Sequence, residues 1–258
     1  MKTKLIFTLA MMIALSSSAQ FYGGVGLGYG AAANTDVIGS KTDNIGTETN
    51  IYGSFGQGAN ASLNAGFMFN DYLGFELGMN YLSGSKLTVA DVDVTGFTQL
   101  SEASSKMLRL MPQFKVASES VYAKFGVIVP VMGKTTVETT KTVGGTETNI
   151  IGETVGSFSV GFISAVGYQY SLSESLGFFA ELQYVGLSIK GNSSEITKYD
   201  AGGTDMLPNL NTQTIKTEYV DELKVTDNQD TNMPTKELRG SSQYSSFGLN
   251  FGLVFYIN

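Results

Sequence analysis

The 258-residue chain contains no cysteine, no histidine and no tryptophan. Lacking cysteine, it has no disulfide, no thiolate nucleophile and no zinc-thiolate centre. Lacking histidine, it has no general base with an ordinary pKa near neutrality, which removes Ser-His and Asp-His catalysis and most metal sites. The chain therefore reads as non-enzymatic, with no cofactor and no metal. Charge is sparse as well: 15% of residues are charged, and 16 Lys and Arg against 23 Asp and Glu give a net charge of −7. No basic footprint for nucleic acid exists. Long apolar runs are also missing. The longest apolar-rich stretch, Leu5 to Leu15, is eleven residues, short of the roughly 20 that a spanning helix needs. Any crossing of a bilayer falls to strands of about 9–11 residues.

The short apolar run has another reading. Met1-Lys2-Thr3-Lys4 is basic, Leu5 to Leu15 is apolar, and Ser17-Ser18-Ala19 offers small residues for a signal peptidase. Cleavage is expected after Ala19, dividing the chain into a signal peptide at 1–19 and one domain at 20–258. The chain is thus expected outside the cytoplasm.

What is abundant is glycine, 31 residues, and aromatic side chains at 11%, a composition that suits strands better than helices or disorder. From Phe247 to Ile257, Phe247, Leu249, Phe251, Leu253, Phe255 and Ile257 occupy every second position, with Gly248, Asn250, Gly252, Val254 and Tyr256 between them. Alternate side chains of a strand point to opposite faces. One face suits lipid and the other a packed, partly polar lumen. The same register recurs in earlier segments and predicts eight strands at 20–30, 58–69, 73–83, 105–117, 121–134, 157–170, 176–190 and 241–258. Short connections alternate with long ones, as in an outer-membrane barrel with brief periplasmic turns and extended external loops. The fold class is therefore an all-β, eight-stranded antiparallel up-and-down transmembrane barrel with both ends on the periplasmic side.

The four long connections, 31–57, 84–104, 135–156 and 191–240, carry net charges of −2, −2, −2 and −4. They read as solvated loops and as the surfaces through which other surface or host proteins are contacted. Thr135 to Val143, then Gly144-Gly145, then Thr146 to Ile150 reads as a hairpin continuing two strands above the membrane, and Leu87 to Val94 as a similar extension. Exposed strand edges of this kind can pair with other chains. Asp91 with Asp93 and Asp221 with Glu222 read as solvated loop acids, and Asp227 to Asn232 lacks the spacing of a calcium loop.

Few charges fall within the strands, and Glu76, Arg109, Lys115, Lys124 and Glu181 all take lumen parity. Unpaired charges there are costly, so a mutually paired cluster closing the interior is expected, with an ion-conducting gate as the functional alternative. An eight-stranded barrel is just wide enough for side chains to fill. Met68, Leu82, Met111, Ile128, Phe179 and Val254 add bulk at inward positions. The glycines at 24, 26, 28 and 30 also face inward and make room for side chains from across the lumen. They lack the spacing of a nucleotide-binding loop. Aromatics gather at two levels, Phe67, Phe69, Tyr72, Phe75, Phe114, Tyr168 and Tyr170 near the short turns and Tyr29, Tyr81, Tyr184 and Phe247 near the long loops, like interfacial girdles. Pro112 and Pro130 lie inside predicted strands and call for a bulge or irregularity at each. An echo, Gly-Thr-Glu-Thr-Asn-Ile at 46–51 and again at 145–150, accompanies Leu-Gly-Phe at 73–75 and 176–178. It fits either a duplicated four-stranded half or similar demands on equivalent hairpins.

With these features the chain resembles the small OmpA/OmpX/OmpW-type outer-membrane β-barrels. The ending Asn250-x-Gly252-x-x-Phe255-x-Ile257 resembles the signal read by the barrel-assembly machinery, except that Ile257 replaces the usual aromatic and Asn258 follows it. The resemblance implies outer-membrane lipid and the assembly machinery as partners, and it does not imply cell-wall tethering. It further implies a membrane-integrity, adhesion or surface-interaction role, or, by likeness to OmpW-type members, passage of small apolar molecules. A soluble, lipocalin-like ligand-binding barrel is the third alternative.

Overall fold

A computed structural model describes residues 20–224 and 227–257. The predicted signal peptide and Asn258 lie outside the described residues. Seventeen strands follow one another: β1 (Gln20–Ala32), β2 (Asp36–Thr42), β3 (Glu48–Gly53), β4 (Gly58–Met68), β5 (Leu73–Gly84), β6 (Leu87–Val94), β7 (Phe97–Ser118), β8 (Val121–Val143), β9 (Thr146–Gly156), β10 (Gly161–Ser171), β11 (Leu176–Gly186), β12 (Ser188–Ala201), β13 (Thr204–Asp205), β14 (Lys216–Val220), β15 (Thr235–Leu238), β16 (Ser241–Gln243) and β17 (Ser246–Ile257).

Eight of them close a ring in the order β1, β4, β5, β7, β8, β10, β11, β17, with β17 returning to β1 through antiparallel pairs from Phe21 with Ile257 to Ala32 with Ser246. Closure pairs the strands on both edges over most of the wall, which is the condition for a sheet to reside in a bilayer. Tracing paired residues once around, Phe21 leads to Phe67, Phe75, Phe114, Phe125, Ser164, Tyr184, Phe247 and back to Ala31 on the starting strand. The trace returns ten positions along β1, from 21 to 31. That stagger is what tilts the strands. Its first five residues are outward phenylalanines whose rings touch in sequence, at 6.0, 6.1, 5.8 and 5.9 Å between centroids. The aromatics predicted near the short turns thus include part of a continuous cross-strand ladder. Such pairs contribute about 0.5–1.5 kcal/mol each beyond their buried area.

The ring uses all eight predicted segments with altered bounds: several strands run further, 176–190 is divided between β11, which ends at Gly186, and β12, and 241–258 is divided between β16 and β17, which begins at Ser246. The predicted segment 105–117 belongs to a 22-residue strand and 121–134 to one of 23 residues. The predicted segment 157–170 begins only at Gly161, because residues 157–160 have no ladder partner. The two prolines behave differently. Beside Pro130 the β7–β8 register slips between Leu108 and Arg109, leaving Val131 unopposed. Around Pro112 the expected irregularity does not occur: Leu110 with Val129 and Gln113 with Gly126 keep one register, and Pro112 pairs in step with Leu77 of β5.

The long connections are largely folded rather than loose. Above the ring, β3, β2, β6, β7, β8, β9, β12, β14 and β15 form a continuous sheet in that order, antiparallel except for β2 with β6 and β14 with β15. The hairpin expected over 135–150 is β8 with β9, and the extension expected at 87–94 is β6. Threonine-rich, alternating sequence favours strands even in polar surroundings. The repeated hexapeptide falls at equivalent places, with Gly46 (φ 85°) and Gly145 (φ 87°) each turning the chain into a return strand.

Candidate functional site

The lumen is filled in layers. Nearest the short turns is a vestibule of about 1120 Å³ bordered by Asp71, Glu119 and Glu174 and roofed by Tyr22, Lys115, Tyr122 and Tyr256. Above that roof Lys124 Nζ bridges Glu76 Oε1 at 3.0 Å and Glu181 Oε2 at 2.6 Å, with all three side chains buried. Each carboxylate also accepts a tyrosine hydroxyl, Tyr22 to Glu76 and Tyr122 to Glu181, both at 3.0 Å. Lys115 Nζ sits 4.6 Å from the centroids of both tyrosine rings and donates to Gln169 Oε1 at 3.1 Å.

One device builds both halves of this layer. Tyr22 pairs with Gly66, which pairs with Glu76, and Tyr122 pairs with Gly167, which pairs with Glu181. A Cβ on either glycine would come within 2.5 Å of the tyrosine ring. The missing side chain lets the phenol lie flat across the middle strand and reach the carboxylate two strands away. Phe179 crosses Gly252 and Gly26 in the same manner. Of these, Gly26 is one of the inward glycines expected from the sequence to make room for larger side chains, whereas Gly66, Gly167 and Gly252 lie outside that stretch.

Four of the five predicted lumen charges therefore meet, and the net charge of Glu76, Glu181, Lys115 and Lys124 is zero. Arg109 stands apart. It is 2% exposed, donates through Nε to Asn80 Oδ1 at 3.1 Å, and has no carboxylate partner among the described residues. The expectation of one mutually paired cluster is corrected in this respect, because Arg109 lies a layer above the carboxylates. Tyr22 and Asn250, which donates to Glu181 at 3.5 Å, were not picked out for the cluster. Their lumen parity was legible, but their reach across glycines was not. Of the assembly-signal residues, Asn250 faces the lumen, Gly252 lies beneath Phe179, and Phe255 and Ile257 face outward.

Above Arg109 the interior turns apolar. Leu82, Met107, Met111, Ile128, Ile163, Val185, Leu187, Ile189 and Tyr244 form one buried cluster. Phe55 packs against Tyr244 with the rings tilted at 45° and centroids 5.6 Å apart, and Ser54 Oγ donates to the Ser245 carbonyl at 2.7 Å, which draws the chain across the mouth. Among the described residues these layers are packed with buried side chains.

The wall itself is interrupted. On its β10 side, β8 pairs up to Ile128 with Gly161, and its pairing with β9 begins at Thr135 with Thr154. Between them residues 129–134 have no ladder partner on that edge among the described residues. A cavity of about 280 Å³ occupies the gap, lined by Met107, Pro130, Met132, Phe158, Ile189 and Tyr244 among others. Met107, Ile189 and Tyr244 belong also to the apolar cluster, so the gap adjoins the upper lumen from the side. The rim is greasy, with Met132 71% and Phe158 80% exposed.

A closed ring with an apolar outer band and a packed interior defines an integral outer-membrane β-barrel. The chain belongs to the family of the outer membrane protein beta-barrel domain, whose sequence model matches residues 5–220. No curated protein matches it. Among solved structures it is similar to CarO2 of Acinetobacter baumannii, with 14% identity over 91% of this chain and 98% of that one, at a TM-score of 0.35. CarO of the same organism gives 12% identity over 91% and 97%, at 0.34. Likeness this distant carries nothing about function.

Proposed function

We propose that this outer-membrane barrel is non-enzymatic and acts at the cell surface, with the extracellular sheet as its contact organ. The observation that carries this reading is the nine-stranded crown, which ends in two strands with one partner each, Glu48–Gly53 and Thr235–Leu238. Such edges offer unpaired backbone groups to a partner strand. Exposed ion pairs stiffen the crown: Lys41 with Asp91 at 2.7 Å, Lys86 with Glu138 at 2.6 Å and Lys134 with Glu153 at 2.6 Å. The test is adhesion of cells displaying the intact chain against cells in which 37–52 and 216–238 are replaced by short turns. Adhesion several-fold lower in the shortened form, with heat-modifiable gel migration unchanged, supports this role; equal adhesion overturns it.

The gap between β8 and β10 favours a second reading, in which small apolar molecules reach the lumen through the wall rather than along the bore. The export route proposed is a signal peptide cleaved after Ala19, which an intact mass beginning at Gln20 would establish.

A further inference from the structure

Arg109 is the lumen cation without compensation. Lys124 has two carboxylates, and Lys115 has two tyrosine rings and an amide oxygen. Arg109 has the Asn80 amide oxygen alone, shared by Nε and Nη2, while Nη1 is buried without a partner. Asn80 is itself anchored by donating to Asn60 Oδ1 at 2.9 Å. An isolated charge in an apolar interior is costly unless an opposite charge meets it. Within reach of Arg109 the described residues supply none.

The surroundings indicate where the opposite charge enters. Arg109 pairs in register with Pro130, which lines the wall cavity. Met107, two residues along the same face and so about 7 Å away, lines it too. Beyond Met107 the lining joins apolar Ile189, Tyr244 and Phe158 to the polar Lys134, Thr135, Thr154 and Ser157, and Lys134 already has Glu153 at 2.6 Å. A ligand that fits must carry an apolar body and a compact negative head. The volume, about nine times that of a liquid water molecule, excludes a whole phospholipid.

We propose that the gap between β8 and β10 is a binding site for a small lipophilic carboxylic acid. Its chain lies against Met107, Ile189 and Tyr244, and its carboxylate passes the flexible Met107 thioether to meet Arg109 Nη1. A carboxylate satisfies the planar guanidinium fork with charge-assisted hydrogen bonds. This inference rests on the second reading above, lateral access for apolar molecules, and adds the acidic head.

The test measures octanoate and octanol binding to the full chain folded in maltoside micelles, by ligand-observed NMR. Octanoate is expected to bind at least ten-fold more tightly than octanol. Arg109→Met should weaken octanoate about ten-fold and leave octanol unchanged, and Arg109→Lys, which keeps the charge, should retain most of the preference. The comparison of the two ligands on the unaltered chain stands even if the methionine variant does not fold. Equal binding of acid and alcohol overturns the acidic head while leaving lateral access in place. Binding of neither overturns both. An octanoate preference that survives Arg109→Met but disappears in Lys115→Met assigns the acid to the vestibule and overturns the proposal.

Discussion

Replacing Lys124 by methionine removes the one group that both buried carboxylates share. Its ammonium lies 3.0 Å from Glu76 and 2.6 Å from Glu181, and none of the three side chains is more than 5% exposed. Breaking such a pair leaves buried charge uncompensated and costs about 3–5 kcal/mol. The lower end applies here, because Lys115 remains in the same layer, 4.6 Å from the Tyr22 and Tyr122 rings. A loss of about 3 kcal/mol, at a urea slope of about 2 kcal/mol per molar, moves the unfolding midpoint down by about 1.5 M. The assay is urea unfolding from lipid vesicles, read by circular dichroism and by migration on unheated gels, since the chain has no tryptophan. The second arm adds Glu181→Gln to Lys124→Met. Glu76 and Lys115 then balance each other, so the double variant should regain more than half of the loss. A single variant within about 0.5 M of the parent, or a double variant less stable than the single, refutes the reasoning.

Further expectations concern other layers. Phe75→Ala removes ring contacts to Phe67 and Phe114 and should lower stability in vesicles by about 1–3 kcal/mol, measured by the same unfolding; no change would deny the ladder a stabilising part. Gly167→Val places a Cβ against the Tyr122 ring and should cost about 1–3 kcal/mol by overpacking, whereas Gly240→Ala, with open space around it and no left-handed backbone, should leave the barrel midpoint unchanged. In the crown, the backbone N–H of Lys224 and the Lys236 ammonium hold the Asp227 carboxyl below the ordinary carboxylate range. This contact supports the segment above the ordinary carboxylate pKa and is lost as pH falls through the lowered one. Pepsin cleavage between 216 and 240, measured relative to an unfolded reference chain that reports pepsin's own pH response, should therefore rise as pH drops through that range, and Asp227→Asn should abolish this relative rise.

The membrane ring was legible because lipid enforces a strict alternation. Leu249, Phe251, Leu253 and Phe255 face outward and Asn250 and Val254 face inward, as their parity requires. The charges at 76, 115, 124 and 181 could be assigned to the lumen on the same ground. Their partners were harder to see, since a register between distant strands is not written locally. That Tyr22 meets Glu76, 54 residues away, depends on two successive pairings and an intervening glycine. Arg109 misled for the same reason, because parity gives a face but not a height. The crown was read only in part. The hairpin at 135–150 announces itself by alternation around two glycines, whereas β2, β12 and β14 are polar on both faces and owe their pairing to neighbours in the sheet. The recurrence of Tyr-Gly-Glu rows in both halves of the lumen gives the sequence echo a structural counterpart, although similar hairpin demands account for the repeated hexapeptide equally well.

The account depends most on which face of the wall meets lipid. Spin labels placed singly at Leu249, Asn250, Gly252 and Leu253 in protein folded into vesicles, with relaxation measured against oxygen and a water-soluble nickel chelate, test this directly. Labels at 249 and 253 should be relaxed by oxygen and shielded from nickel, and those at 250 and 252 should be largely protected from oxygen. The opposite pattern, with 249 and 253 open to the chelate and 250 and 252 in contact with hydrocarbon, would contradict the barrel described here.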